Sequence, residues 1–310
     1  MVSAATLLLP NEEVKKKIKV EVNENVKTKD RDLAHIKEWL RKQPHLPDKW
    51  DDERLINFLR GSNFSLEKCK TKLDLYFTMR AACPEFFTNR DVTRPEIARS
   101  LSKIQGAPLP VLTPNGLRVN CFRVMDENLD SSFVSSLLKL SLMLGDVRLK
   151  EEAEGVAGDV YVMDVAPLSP AHLTLLSLTT IKKYLICVQD AYPVKLKEIH
   201  VVNSNPVIDV VFNMVKPLVK EKIRNRIFFH CSVDGLTKYI PKDILPEEFG
   251  GYGGSLQEMH NAWEEKLKTY TKWFKEQESI KAIETLRPGK PKNYDEILGT
   301  EGSFRTLSID

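Results

Sequence analysis

Asn205-Pro206-Val207-Ile208-Asp209-Val210-Val211-Phe212-Asn213-Met214-Val215-Lys216-Pro217-Leu218-Val219-Lys220 is the stretch on which the reading of the whole chain turns. Pro206 sits where a first helical turn tolerates it, because the N–H it lacks would be unpaired there in any case. At 100° per residue, Asp209, Asn213, Lys216 and Lys220 fall on one narrow line, and Val207, Val211, Met214 and Leu218 lie opposite it. The pattern predicts a helix over 206–220. Burying its nine apolar side chains, at about 1.5–3 kcal/mol each, represents roughly 15 kcal/mol or more. Such a helix must cover something. It is either a core helix of an α/β domain or a lid over an apolar ligand cavity. The sequel, Glu221-Lys222-Ile223-Arg224-Asn225-Arg226, bears on that choice: from Lys216 to Arg226 there are five basic residues and one acid. An apolar helix beside a cationic patch suits an element that works at a lipid surface.

The 310 residues suffice for one large domain or two small ones. With 46 basic and 43 acidic residues the net charge is only +3, so no global field argues for nucleic acid, and electrostatic function must come from local clusters. Cys69, Cys83, Cys121, Cys187 and Cys231 are odd in number, scattered and without a C-x-x-C. They read as free thiols in a reducing compartment. The apolar run Ala4–Leu9 is too short for a signal peptide or a span, which leads to the expectation of a soluble, cytoplasmic protein.

Outward from the central stretch, strands and helices alternate. Pro110–Thr113 and Leu117–Val124 flank a Pro114-Asn115-Gly116 turn and read as a β-hairpin. Residues 131–149 read as a helix, 159–164 as a strand, 169–189 as a helix, 198–203 as a strand and 226–230 as a strand. This order predicts an α/β fold with a mostly parallel sheet and crossover helices. Ahead of it, residues 10–29 read as a charged, solvated helix. Leu33, Ile36, Trp39 and Leu40, then Leu55, Ile56, Phe58 and Leu59, then Cys69, Leu73, Tyr76 and Phe77 give three short amphipathic helices, with Ser65 as half a capping box. A last helix spans about 255–281, and Phe304, Leu307 and Ile309 in the tail could dock on the body. The division expected is 1–95, an N-terminal helical subdomain; 96–254, the ligand-binding domain; and 255–310, a C-terminal helix and tail.

No catalytic spacing emerges. There is no G-x-G-x-x-G after a strand, no G-x-x-x-x-G-K-[ST], no G-x-S-x-G and no H-E-x-x-H. Gly250-Gly251-Tyr252-Gly253-Gly254 follows Leu-Pro-Glu-Glu rather than a strand and reads as a turn. His200 and His230 read as sheet residues, and Asp159 and Asp164 as strand-end carboxylates without a base. The chain reads as a binder and not an enzyme, with no metal site and no cofactor beyond a bound hydrophobic ligand.

Several segments together resemble the CRAL-TRIO (Sec14-like) lipid-transfer family. They are Leu55-Ile56-Asn57-Phe58-Leu59-Arg60-Gly61-Ser62-Asn63-Phe64, Ile199-His200-Val201-Val202-Asn203 leading to Asn205-Pro206, and Ile244-Leu245-Pro246-Glu247-Glu248-Phe249-Gly250-Gly251. Within the family the chain is most similar to the branch that holds the α-tocopherol transfer protein and the cellular retinaldehyde-binding protein. Its tail, Glu301-Gly302-Ser303-Phe304-Arg305, looks like that of arthropod members. The resemblance implies a sheet-floored apolar pocket closed by a mobile gate helix over 206–220. The implied lining is Phe133, Ser136, Leu137 and Leu140; Tyr161 and Met163; Tyr184, Cys187, Val188 and Tyr192; Ile199; and Val207, Val211 and Val215. It also implies phosphoinositide contact through Lys195, Lys197, Lys222 and Arg226. Two further positions of that basic set are Ser62 and Thr71 here, with Lys70 and Lys72 beside the second. The function so implied is a monomeric intracellular carrier that holds a tocopherol-, retinoid- or other isoprenoid-like ligand and exchanges it at anionic membranes. A phosphoinositide-binding scaffold or trafficking protein with a structural lipid in its pocket is the alternative.

Overall fold

Side-chain caps open the first helices of the computed structural model, which describes residues 3–292. Asn11 accepts from the Val14 N–H at the start of α1 (Glu12–Glu21). After α2 (Lys29–Arg41), Asp51 accepts from the Arg54 N–H at the start of α3 (Asp52–Gly61). Then come α4 (Leu66–Ala82), α5 (Pro84–Phe87) and α6 (Pro95–Leu101). The sequence pattern leads to three amphipathic helices after residue 30; the structure adds two short proline-started ones, α5 and α6. Ser65 precedes α4 but makes no side-chain cap. The α1 helix is not merely solvated: Ile18 and Val22 are fully buried against Leu112 and Ala157.

The sheet has the order β1 (Ile104–Leu112), β2 (Leu117–Val124), β3 (Gly158–Asp164), β4 (Leu196–Val202) and β5 (Ile227–Phe229). β1 runs antiparallel to β2, and the remaining pairs are parallel. β1 starts at Ile104, before the expected Pro110. Its prolines, Pro108 and Pro110, are tolerated because it is an edge strand.

The crossovers are α7 (Phe133–Glu151), α8 (Leu178–Ile186) and α9 (Pro206–Val215). Since each joins neighbouring parallel strands, the right-handed rule puts all three on one face of the sheet. After α10 (Glu221–Arg224) and β5, the chain covers the other face and ends its described part in α11 (Leu256–Thr269) and α12 (Thr271–Gln277). The pattern's single helix over 169–189 is three pieces: a 3-10 turn over Pro170–Leu175, α8, and a wide turn over Cys187–Ala191. Ser177 starts α8 afresh by accepting from the Thr180 N–H. The expected helix over 255–281 is divided at Tyr270. The tail residues Phe304, Leu307 and Ile309, and the segment Glu301–Arg305, lie outside the described residues.

Two glycines fix how the parts meet. A Cβ on Gly61 would sit 2.1 Å from the Pro193 carbonyl oxygen, so α3 touches the approach to β4 only because no side chain is there. A Cβ on Gly158 would lie 2.6 Å from the Lys195 oxygen and 2.7 Å from Lys197 Cγ, at the place where β3 and β4 begin side by side.

Candidate functional site

The two faces of the sheet differ. On one, Val119, Cys121, Val160, Val162, His200 and Val202 are all buried. The five apolar ones share a core with Leu245, Phe249, Leu256 and Trp263 from the C-terminal part. The parallel registers Asn120–Tyr161–Ile199–Ile227 and Phe122–Met163–Val201–Phe229 define the other face. There Phe122, Tyr161, Met163, Ile199 and Ile227 are only half-buried, and Phe229 is 40% exposed. β3 is a central strand, so accessibility on one side of it means that the helices above do not press down on it. This apolar face is only partly covered, Val201 being its buried member.

The covering helices show the same shortfall. α8 buries none of its residues, and α9 buries only Ile208. Ile208 packs with Val165 and Val201, against Met163 and Ile199, at the N-terminal end of α9. Val207, Val211, Phe212, Met214 and Val215 remain half-buried, while Asp209, Val210 and Asn213 face out. The helix is held at its ends. Asn205 Oδ1 accepts from the Val207 N–H, and Asn205 Nδ2 donates to the Leu168 oxygen, 3.0 Å each. At the far end Gln189 donates to the Leu218 oxygen and accepts from the Lys220 N–H, and Lys220 pairs with Asp190. Between these anchors Phe212 meets Phe229, with ring centroids 5.3 Å apart. The α-helix stops at Val215 rather than 220: Pro217 has no N–H to donate, and although Lys216 keeps helical angles the chain tightens into a 3-10 turn over Lys216–Leu218.

The residues implied by the family resemblance fall in two groups. Leu137, Tyr161, Met163, Tyr184, Val188, Ile199, Val207, Val211 and Val215 are half-buried around the floor and roof. Phe133, Ser136, Leu140, Cys187 and Tyr192 are buried. Phe133 and Leu140 belong to the sheet core, and Cys187 and Tyr192 to the core beneath the helical part. Tyr184 OH lies 3.0 Å from Ser141 Oγ. The Tyr161 hydroxyl has no hydrogen-bond partner among the described residues. It adjoins a cavity of about 80 Å³ bounded by Arg148, Tyr192 and Lys195.

The cations gather where β4 and β5 begin. Lys222 and Arg226 are exposed, and Arg226 also donates to the Leu196 oxygen. Lys195 and Lys197 instead meet Glu21 of α1. Lys72 reaches the same region, donating to the Asp190 and Tyr192 oxygens at 3.0 Å. Burial, reinforced by Lys220 and Lys222 and opposed by Asp190, brings its pKa down to about 8. Lys70 pairs with Glu67.

The strand-end carboxylates are structural. Asp159 bonds Arg148 at 2.7 Å, and Asp164 accepts from Arg123 and Asn203. His200 lies 3.0 Å from both His230 and Glu198. Burial lowers the pKa of both histidines, the Glu198 contact opposing the fall at His200. Among the described residues no group of three His, Cys, Asp or Glu side chains has metal-holding geometry, and no helix is long and apolar enough to cross a membrane.

Sequence reasoning missed one buried cluster beside the site. Asp146 on α7 accepts from Arg80 at 2.9 Å, Arg90 at 2.6 Å, Tyr76 at 2.9 Å and Tyr192 at 2.6 Å. Its members are far apart in the chain and of types that pattern analysis assigns to the surface.

Residues 107–251 match the CRAL/TRIO domain, and residues 25–97 match the Pinta-like, UBA domain. The chain is 29% identical over 249 residues to the alpha-tocopherol transfer protein-like protein of Mus musculus, covering 79% of this chain and 71% of that one. It is 27% identical over 246 residues to clavesin-1 of Xenopus laevis, covering 78% and 73%. Against the crystal structure of Sfh5 the TM-score is 0.43 at 16% identity, over 95% of this chain and 98% of that one.

Proposed function

We propose that this chain, whose residues 107–251 match the CRAL/TRIO domain, is a carrier that shelters one small hydrophobic molecule beneath α9. Residues 96–254 form the binding unit, and exchange takes place at anionic membranes facing the cytoplasm. The observation that carries this reading is the half-accessible apolar face of a central strand under a helix anchored at its two ends. A guest of tocopherol, retinoid or other isoprenoid type supplies the contacts that the floor and roof lack. Each apolar side chain it covers contributes on the scale of ordinary burial, about 25 cal/mol per Å². The Phe212–Phe229 contact and the Gln189 clamp are the interactions that must open for exchange. Membrane docking drives opening only insofar as the bilayer binds the open form more tightly than the closed one.

Docking assigns Lys222 and Arg226 to headgroups. At about 1 kcal/mol per cation near an anionic leaflet, removing both weakens attachment by roughly thirtyfold, and reversing both by more. The test is transfer of a fluorescent tocopherol analogue between vesicles containing phosphatidylserine. Lys222→Glu with Arg226→Glu is expected to slow transfer at least that much, and added salt to slow the wild type. Transfer insensitive to both changes contradicts docking at this face. The protein does no covalent chemistry in this reading.

A further inference from the structure

Two of the four cations ascribed to membrane contact already hold an anion supplied by the chain. Lys197 Nζ lies 2.6 Å from Glu21 Oε1. Lys195 Nζ lies 3.4 Å from the same oxygen and donates to the Glu21 backbone oxygen at 2.8 Å. That carbonyl belongs to the last turn of α1, where unpaired carbonyls and the helix dipole both favour a cation. The placement is built into the fold. Ile18 packs over Gly116, Lys17 donates to the Pro114 oxygen, and Glu24 pairs with Arg60 at 2.7 Å. Gly158 lets Lys195 and Lys197 lie close against β3. The Glu24 carboxylate is buried, whereas the Glu21 side chain is 41% exposed. It can therefore swing away while α1 stays docked. The hydrogen bond from Lys197, helped by the charges of both lysines and opposed by partial burial, keeps the Glu21 carboxyl below its ordinary range, so it is anionic at neutral pH.

We infer that Glu21 is an internal competitor for the headgroup site and selects doubly charged membrane phosphomonoesters over singly charged phosphodiester lipids. This rests on the membrane-docking reading above. A headgroup with one negative charge replaces a carboxylate of the same charge and gains little at Lys195 and Lys197. A phosphomonoester carries about −1.5 to −2 at neutral pH, with three acceptor oxygens, and displaces the carboxylate with a net gain. Glu21 thus sets a charge threshold for attachment.

The test compares binding of the full chain to two sets of phosphatidylcholine vesicles with matched surface charge, one containing phosphatidylserine and the other phosphatidic acid. Glu21→Gln keeps the side-chain shape and frees about one net charge. It is expected to tighten binding to phosphatidylserine vesicles about fivefold and to narrow the preference for phosphatidic acid. Glu13→Gln changes the net charge equally on the same helix, where Glu13 pairs with Lys17, and is expected to leave the preference unchanged. Adding Lys195→Gln and Lys197→Gln is expected to erase the effect of Glu21→Gln. If Glu21→Gln and Glu13→Gln behave alike while the wild type binds in a salt-dependent way, the selector role is overturned and docking stands. If neither the wild type nor Glu21→Gln binds either vesicle at low salt, docking falls, and the selector with it.

Discussion

Val211→Asp is expected to abolish uptake of a hydrophobic ligand while leaving the protein folded. Val211 is half-buried at mid-length on α9, on the side away from Asp209 and Asn213. It lies between the anchored ends and outside the cluster around Ile208. A carboxylate there would face the guest proposed to lie beneath α9. Drying it beneath a guest costs several kcal/mol, enough to lower affinity by about 100-fold or more. In the empty protein the same carboxylate can stay hydrated, so the thermal midpoint is expected to move by no more than a few degrees. Val210→Asp is the matched control, since Val210 is 46% exposed on the outer side. Fluorescence titration with a tocopherol analogue distinguishes them: Val210→Asp binds like the wild type, and Val211→Asp does not. Equal affinities in all three proteins contradict the assignment of α9 as a lid.

The second large effect concerns stability. Asp146→Asn keeps the shape of the side chain but leaves Arg80 and Arg90 buried against each other without a counter-charge. Breaking a buried pair in this manner costs about 3–5 kcal/mol, or roughly 10 °C in the thermal midpoint. The cluster ties α4 and the Arg90 loop to α7, and Arg80 also reaches the Gln277 and Ile280 oxygens. The excess positive charge is partly met by aromatic faces: Arg80 lies over Phe87 at 4.8 Å and Arg90 over Phe274 at 4.7 Å. Burial opposes ionisation of Asp146, but Arg80 and Arg90 outweigh it and hold the carboxyl far below the usual range. A carboxyl depressed in the folded state stabilises fully above its unfolded value, near 3.8, and that contribution is lost as pH falls through the folded value. Denaturation with urea at pH 7 and at successively lower pH is therefore expected to show a large gap between wild type and Asp146→Asn that shrinks in strong acid. A gap below 1 kcal/mol at pH 7 contradicts this account.

What the sequence discloses and what it hides follow from the range of the interactions. The apolar stripe of α9, its proline start and the parallel β3–β5 all rest on local periodicity, and they are legible. The end of α9 is hidden because the stripe continues past Pro217 although the backbone cannot. The division of the segment before β4 turns on Ser177 as a new cap, which a continuous apolar pattern masks. Non-local pairing is hidden altogether. Nothing near Asp146 in the chain announces Arg80 and Arg90. The lysines at 195 and 197 look solvent-facing until α1 returns to meet them with Glu21.

Native mass spectrometry of the protein after incubation with a cellular lipid extract tests the proposed ligand site beneath α9 most directly. One hydrophobic molecule of isoprenoid type per chain, displaced by a tocopherol analogue and missing from Val211→Asp, is the expected result. Only the bare mass of the chain, for wild type and variant alike, would mean that α9 covers nothing.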